Sequence, residues 1–268
     1  MFSAYGHREV SIGTIIAVNG KGGTGKTTLA SFVVAHLIYK KAGSVIAIDA
    51  DPNSCFADSL GVKSPKTIVG ICEEISKDMD KIPGGMTKDR YIEMRVQESV
   101  SEEKNFDCLV MGRPEGPGCY CYVNNLLRGI IEKIISSYDY VVIDNAAGME
   151  HISRRTVGAL NKLVLVSDYS VTGVRAAKKI YDLAVELGIR IGAAYLIINK
   201  VTGPVSSLKD EIRNSGLDLI GEIPYSEDLI KWNIAARSIF EFKNQTVNEK
   251  IDQVVEKLKG EKYAGRIN

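Results

Sequence analysis

Apolar residues in this chain alternate between two spacings. Short runs, mostly β-branched, read as strands buried on both faces. They are Ile12-Gly-Thr-Ile-Ile-Ala-Val-Asn19, Ser44 to Ala50, Phe106 to Met111, Tyr138 to Asp144, Lys162 to Ser167, Ala193 to Asn199 and a short Leu219 to Ile223. Between them the spacing becomes helical. Residues 27–41 repeat apolar positions at Leu29, Phe32, Val33, His36 and Leu37, and similar patterns cover 124–137, 174–187 and 207–216. Repeated strand–helix alternation predicts an α/β fold, a mostly parallel sheet with helices on both faces. Ligands of such sheets bind beyond the carboxyl ends of the strands. Residues 20–28, Asp49 to Asp51, the stretch after Met111, Asp144 and Asn199 all follow strands, so they are expected along one edge.

Two segments read differently. Residues 65–103 are less regular, and Lys77 to Met86 suggests a loop or a small hairpin. Residues 245–259 place Val247, Ile251, Val254 and Leu258 on one helical face, opposite Glu249, Lys250, Asp252, Glu256 and Lys257. That mixed polar face predicts a helix docked on the core, since a membrane-surface helix would be more basic.

Composition narrows the class. The 268 residues fit one large domain spanning 1–268, with 45% hydrophobic and 25% charged residues. A net charge of +1 argues against a surface devoted to nucleic acid or anionic membrane. No apolar run approaches the roughly 18 residues of a membrane span. The opening Met-Phe-Ser-Ala-Tyr-Gly-His lacks a leader pattern, which makes the cytoplasm the expected compartment. Five cysteines, an odd count, do not suit a secreted disulfide framework.

The first strand and helix are joined by Gly20-Lys21-Gly22-Gly23-Thr24-Gly25-Lys26-Thr27-Thr28, which satisfies the phosphate-loop spacing. Glycines let successive amides turn toward phosphate oxygens, Lys26 brings a point charge to the outer phosphates, and Thr27 offers a hydroxyl to Mg2+. Lys21 comes too early for Lys26's task. This second lysine resembles the deviant Walker A loop of the class that contains MinD, ParA and the nitrogenase iron protein. The resemblance implies a MinD-like (SIMIBI) P-loop fold, ATP hydrolysis, and a dimer formed with ATP in which Lys21 reaches the partner's nucleotide.

The remaining nucleotide residues follow strands. Asp49 and Asp51 end the second strand, where carboxylates can hold metal-bound water or orient an attacking water. By the resemblance this is switch I, with Asp51 activating water and Asp49 supporting the Mg2+ site. Val141-Val-Ile-Asp144 has the Walker B pattern, and Asn145-Ala-Ala-Gly148 resembles switch II. Gly148 can bring its amide to the γ-phosphate. Asn199 presents a donor and an acceptor suited to an adenine edge, a position where the family has Asn. Pro224 and Tyr225 resemble the loop covering the base. Turn chemistry alone would also place Asp, Asn, Pro and Tyr at such strand ends.

The second chemical feature is Gly112-Arg-Pro-Glu-Gly-Pro-Gly-Cys119-Tyr-Cys121. Two thiolates in a loop can chelate a soft or borderline metal but leave its site half-built. A two-fold dimer would bring four sulfurs together, suited to Zn2+ or Ni2+. A redox pair or two structural cysteines are the other readings. Together with Lys21, the run through Asn124 and Leu126-Leu-Arg128, and Gly148-Met-Glu-His-Ile-Ser-Arg-Arg155, this loop resembles the CooC family of nickel-insertion ATPases. The resemblance implies a metal held between subunits and delivered to apo carbon monoxide dehydrogenase or acetyl-CoA synthase. It leaves the client enzyme, and nickel against zinc, open. One departure is Ala146, where the family's pattern leads us to expect an acidic residue. A MinD- or ParA-type positioning ATPase is the alternative, and no basic carboxyl-terminal helix or patch that would carry such a protein to membrane or DNA is visible.

Overall fold

A computed structural model of the chain describes residues 13–77, 82–112, 121–146 and 159–259. Among these, eight strands form one sheet in the order β3-β4-β2-β5-β1-β6-β7-β8. They are β1 (Thr14–Gly20), β2 (Val45–Ala50), β3 (Ser101–Glu102), β4 (Asp107–Val110), β5 (Tyr140–Asn145), β6 (Ala159–Asp168), β7 (Arg190–Val201) and β8 (Asp218–Pro224). Every pairing is parallel except that of β3 with β4. The central strands read as continuous apolar runs because helices cover both of their faces.

One face carries α1 (Lys26–Tyr39), α2 (Cys55–Leu60) and α9 (Gln245–Lys259). Phe32, Val33 and Leu37 of α1, Phe56 of α2 and Ile251 and Val254 of α9 pack there against Ile16, Val18, Val142 and Val164. The other face carries α3 (Ile68–Lys77), α4 (Lys88–Gln97), α5 (Cys121–Ile135) and α6 (Val171–Glu186). Ile71, Ile92, Ile131 and Val174 pack against Ile15, Ala17, Ile46, Ile143 and Leu163. Alternate residues of β1 thus enter opposite cores, as the two-residue period of a strand requires. Two shorter helices, α7 (Lys209–Ser215) and α8 (Glu227–Ile234), flank β8.

The less regular reading of residues 65–103 is corrected: most of it is α3 and α4. The α4 pattern is faint because only Ile92 and Val96 are buried. Its start is nonetheless marked by Thr87, whose hydroxyl accepts from the Arg90 amide. Residues 207–216 divide into a 3-10 turn and the short α7. The docked terminal helix is borne out, since Val247, Ile251, Val254, Val255 and Leu258 are all buried. Two lysines tie it to the sheet: Lys162 donates to the Leu258 carbonyl, and Lys257 Nζ donates to the Ile220 carbonyl of β8 at 3.0 Å. Among the described residues, no helix is long and apolar enough to cross a membrane.

The register sets the site. Val18 of β1 and Asp49 of β2 both lie level with Asp144 of β5, and Asp168 of β6 lies level with Asn199 of β7. Parallel pairing therefore delivers five strand ends, with the segments that follow them, to one edge.

Candidate functional site

The phosphate loop leaves β1 at Gly20 and enters α1 at Lys26. Gly25, the residue before α1, has φ 91° and ψ 28°, a left-handed conformation that favours glycine. A Cβ there would also collide with Nδ2 of Asn199. Loop carbonyls must turn away from any phosphate, and three of them are taken up by protein donors. The Lys21 carbonyl accepts from Thr24 Oγ1 at 2.9 Å, that of Gly23 from Lys200 Nζ at 2.8 Å, and that of Thr24 from Asn199 Nδ2 at 2.8 Å. The loop sits at the amino terminus of α1, where amides and helix dipole favour an anion.

Asn199 and Lys200 hold the loop from the side. Asn199 Oδ1 accepts from the Lys200 amide at 2.9 Å, and Lys200 takes a left-handed φ of 57° that points its chain back over the loop. Lys200 is the functional residue that sequence reasoning missed. Its only signal was its place after Asn199, and its contact spans 177 positions.

The carboxylates line the opposite side. Asp144 is fully buried, and its Oδ2 accepts from Thr27 Oγ1 at 2.6 Å. Its Oδ1 is buried without any hydrogen-bond partner. Burial chiefly, with the nearby Asp49 carboxylate, pushes Asp144 up to about 7, against the opposing pull of the Thr27 hydrogen bond and Lys26. Asp49 is fully buried too, and desolvation raises it to about 6 despite accepting from the amides of Ala57, Asp51 and Phe56. Asp49 therefore fixes the start of α2 with Oδ2, which accepts from Phe56 and Ala57, and the turn before it with Oδ1, which accepts from Asp51. Asp51 is half-buried, and its Oδ1 accepts from the amide and the Nδ2 of Asn53, each at 2.9 Å.

Two buried carboxyls raised in this way describe a site short of positive charge. Asp144 Oδ1, the Thr27 hydroxyl and the adjacent phosphate loop suit Mg2+, which takes one or two protein oxygens and completes its shell with water and phosphate oxygens. Among the described residues, no cluster of three or more His, Cys, Asp or Glu side chains is built to hold a metal by itself.

A cavity of about 400 Å3 opens beside the loop. Its lining brings together Lys26, Thr27, Thr28, Asn199, Pro224 and Tyr225, all expected from sequence, with Lys200 and the apolar side of α8. Exposed Ile230 and Ile234 and the half-exposed Tyr225 give it an apolar wall of the kind an aromatic base covers. Lys26 is buried at the loop, whereas Lys21 is exposed. Gly148 and Cys119 lie outside the described residues. Cys121 opens α5 on the edge that carries the nucleotide cavity, and nothing is described of its side chain.

Comparison with known proteins agrees with this geometry. Residues 15–239 match the family model described as the CobQ/CobB/MinD/ParA nucleotide binding domain. An uncharacterized ATP-binding protein of Methanocaldococcus jannaschii is 40% identical over 93% of this chain and 100% of its own. The carbon monoxide dehydrogenase accessory protein CooC of Rhodospirillum rubrum is 29% identical over 78% of this chain and 83% of its own. Among solved structures, an ATP complex of McdA from Cyanothece superposes with a TM-score of 0.67, at 18% identity over 96% of this chain and 99% of that one.

Proposed function

Because the chain belongs to the CobQ/CobB/MinD/ParA nucleotide-binding family and is an ATPase of that class, we propose that ATP closes two copies around a thiolate-bound Ni2+ or Zn2+. The complex then loads nickel into apo carbon monoxide dehydrogenase or acetyl-CoA synthase in the cytoplasm. In this reading Lys26 and the amides of Gly20 to Thr28 hold the phosphates, and Thr27, Asp49 and Asp144 serve the Mg2+ site. Asp51 orients the attacking water, and Gly148 meets the γ-phosphate. Asn199, Pro224 and Tyr225 hold the base. Lys21 acts on the partner's nucleotide, consistent with its exposure beside a loop whose own lysine is already buried in place.

The observation that carries the metal reading is the Cys119-x-Cys121 pair, which follows β4 in sequence and ends at the first residue of α5. β4, the strand that precedes the pair in sequence, lies beside β2, which bears Asp49 and leads to Asp51. A nucleotide-dependent rearrangement near Asp51 would reach the thiols through one strand neighbour. The likeness to the carbon monoxide dehydrogenase accessory protein CooC supports the proposed client. Cysteine ligands must lose protons to bind, so metal affinity should fall in acid.

Elemental analysis combined with mass in solution tests this, with ADP and with a non-hydrolysable ATP analogue, on the wild type and Cys119→Ala. One nickel or zinc per two chains, lost in the variant, is the expected result. A metal-free dimer that forms equally in both proteins refutes the cargo and leaves the ATPase. The second reading is a MinD- or ParA-type positioning ATPase, favoured by the family match itself. Tight binding to anionic liposomes or plasmid DNA at moderate salt would select it.

A further inference from the structure

Helix α8 has no buried residue, yet both of its sides line cavities. Leu229, Ile230, Asn233 and Ile234 face the nucleotide cavity. Lys231, Trp232 and Ala235 face a second groove of about 390 Å3, completed by Asp228, Arg237, Phe242 and Lys243.

The groove has an aromatic floor with a cationic rim. Trp232 packs edge-to-face on Phe242 with centroids 5.6 Å apart, and Phe242 does the same on Phe32 of α1 at 5.5 Å. The Trp232 indole N–H donates to the Ser238 carbonyl at 3.2 Å, and the Ser238 hydroxyl donates to the Leu60 carbonyl at the end of α2. The floor is therefore fixed to both helices that follow the phosphate loop and Asp51. The Arg237 guanidinium lies over the Trp232 ring at 5.2 Å.

The rim charges are not balanced. Arg237 and Lys243 have no carboxylate partner among the described residues, and Lys231 has only Glu227 at 3.9 Å, both three-quarters exposed. Such an exposed pair is worth little. Asp228, the one carboxylate lining the groove, already accepts from Asn244 Nδ2 at 2.9 Å. Three cations around an indole suit carboxylates interleaved with an aromatic or leucine side chain. A continuous phosphate backbone suits them less, given Asp228 inside the groove and a chain whose net charge is only +1.

We propose that this groove binds an acidic, apolar-anchored segment of a protein partner, and that α8 links its occupancy to that of the nucleotide cavity. Leu229 and Trp232 of this helix pack on one core from its two sides, so a ligand that moves Trp232 also moves the wall of the nucleotide cavity. The proposal requires the nucleotide cavity but not the metal cargo.

Trp232 is the chain's single tryptophan and reports on the groove directly. The probe is a short labelled peptide of alternating glutamate, leucine and phenylalanine, titrated with ADP and with a non-hydrolysable ATP analogue. A glutamine counterpart and an oligothymidylate serve as competitors. We expect salt-sensitive binding that changes Trp232 fluorescence and weakens at least about tenfold in Arg237→Glu/Lys243→Glu, two exposed positions whose reversal disturbs no ion pair. The peptide affinity should differ between nucleotide states by the factor through which the peptide alters nucleotide affinity. No fluorescence or anisotropy response, equal binding of the neutral peptide, or an unaffected double variant overturns the docking surface. Oligothymidylate binding as tight as the peptide's, and lost in the same variant, assigns the groove to nucleic acid instead. Identical peptide affinity in every nucleotide state overturns the linkage.

Discussion

Asp144→Asn should stabilise the nucleotide-free protein above neutral pH while abolishing its response to Mg2+ and ATP. The wild-type carboxyl is pushed up to about 7 in the folded protein by burial, against 3.8 for an ordinary aspartate. The folded state therefore holds that proton more tightly than the unfolded chain. Stability from this group is full below 3.8 and is lost as the pH rises to about 7. At pH 8 the difference penalises the folded protein by about 4 kcal/mol, and at pH 5 by about 2 kcal/mol. Asparagine keeps the shape but buries an amide where Oδ1 makes no hydrogen bond among the described residues, at a cost of about 2 kcal/mol. The net expectation is a gain of about 2 kcal/mol at pH 8 and nearly none at pH 5. In urea titrations with chelator present, the pH 8 midpoint should rise by roughly 1 M. Equal midpoints for the two proteins at pH 8, or the same gain at both pH values, would refute the argument from burial. Adding Mg2+ and ATP should raise the wild-type midpoint and leave the variant unmoved.

Three further outcomes test other parts of the site. Lys21→Ala should bind ATP yet fail to dimerise with it, as light scattering would show; a persistent ATP dimer removes its role on the partner. Gly25→Ala should cost about 2–4 kcal/mol from its left-handed backbone and its collision with Asn199, and a thermal midpoint like wild type's would contradict that geometry. Asp51→Asn should accumulate an ATP-bound dimer with little turnover, and phosphate release at the wild-type rate would exclude it from water activation.

The strands were legible because burial on both faces demands β-branched runs, as in Thr14–Gly20 and Val45–Ala50. Register then followed from parallel pairing, which is why Asp49, Asp144 and Asn199 were foreseen on one edge. Two of the helices that escaped, α4 and α8, have little apolar face to read, unlike α3, which buries Ile68, Ile71 and Ile75. α4 buries two residues and α8 none, so only their caps signal them: Thr87 in one case, Ser226 ahead of Glu227 and Asp228 in the other. The roles of contacts were less legible than their existence. Asp49 has the expected place at a strand end, but its Oδ2 accepts from the two amides that start α2, which depends on how the turn after it folds back. The Asn199–Lys200 hold on the phosphate loop joins residues more than 170 positions apart, and no local pattern encodes it.

The two margins of the sheet also bear on how this protein tolerates crowding. At one margin, β3 is two residues long and runs against its neighbour, so it offers almost no template on which a stranger's strand can grow. At the other, α9 lies against β8 and Lys257 occupies a β8 carbonyl with its ammonium group. Both margins thereby discourage copies of this chain from joining side by side into a fibre, and they leave the nucleotide edge free for the dimer proposed above.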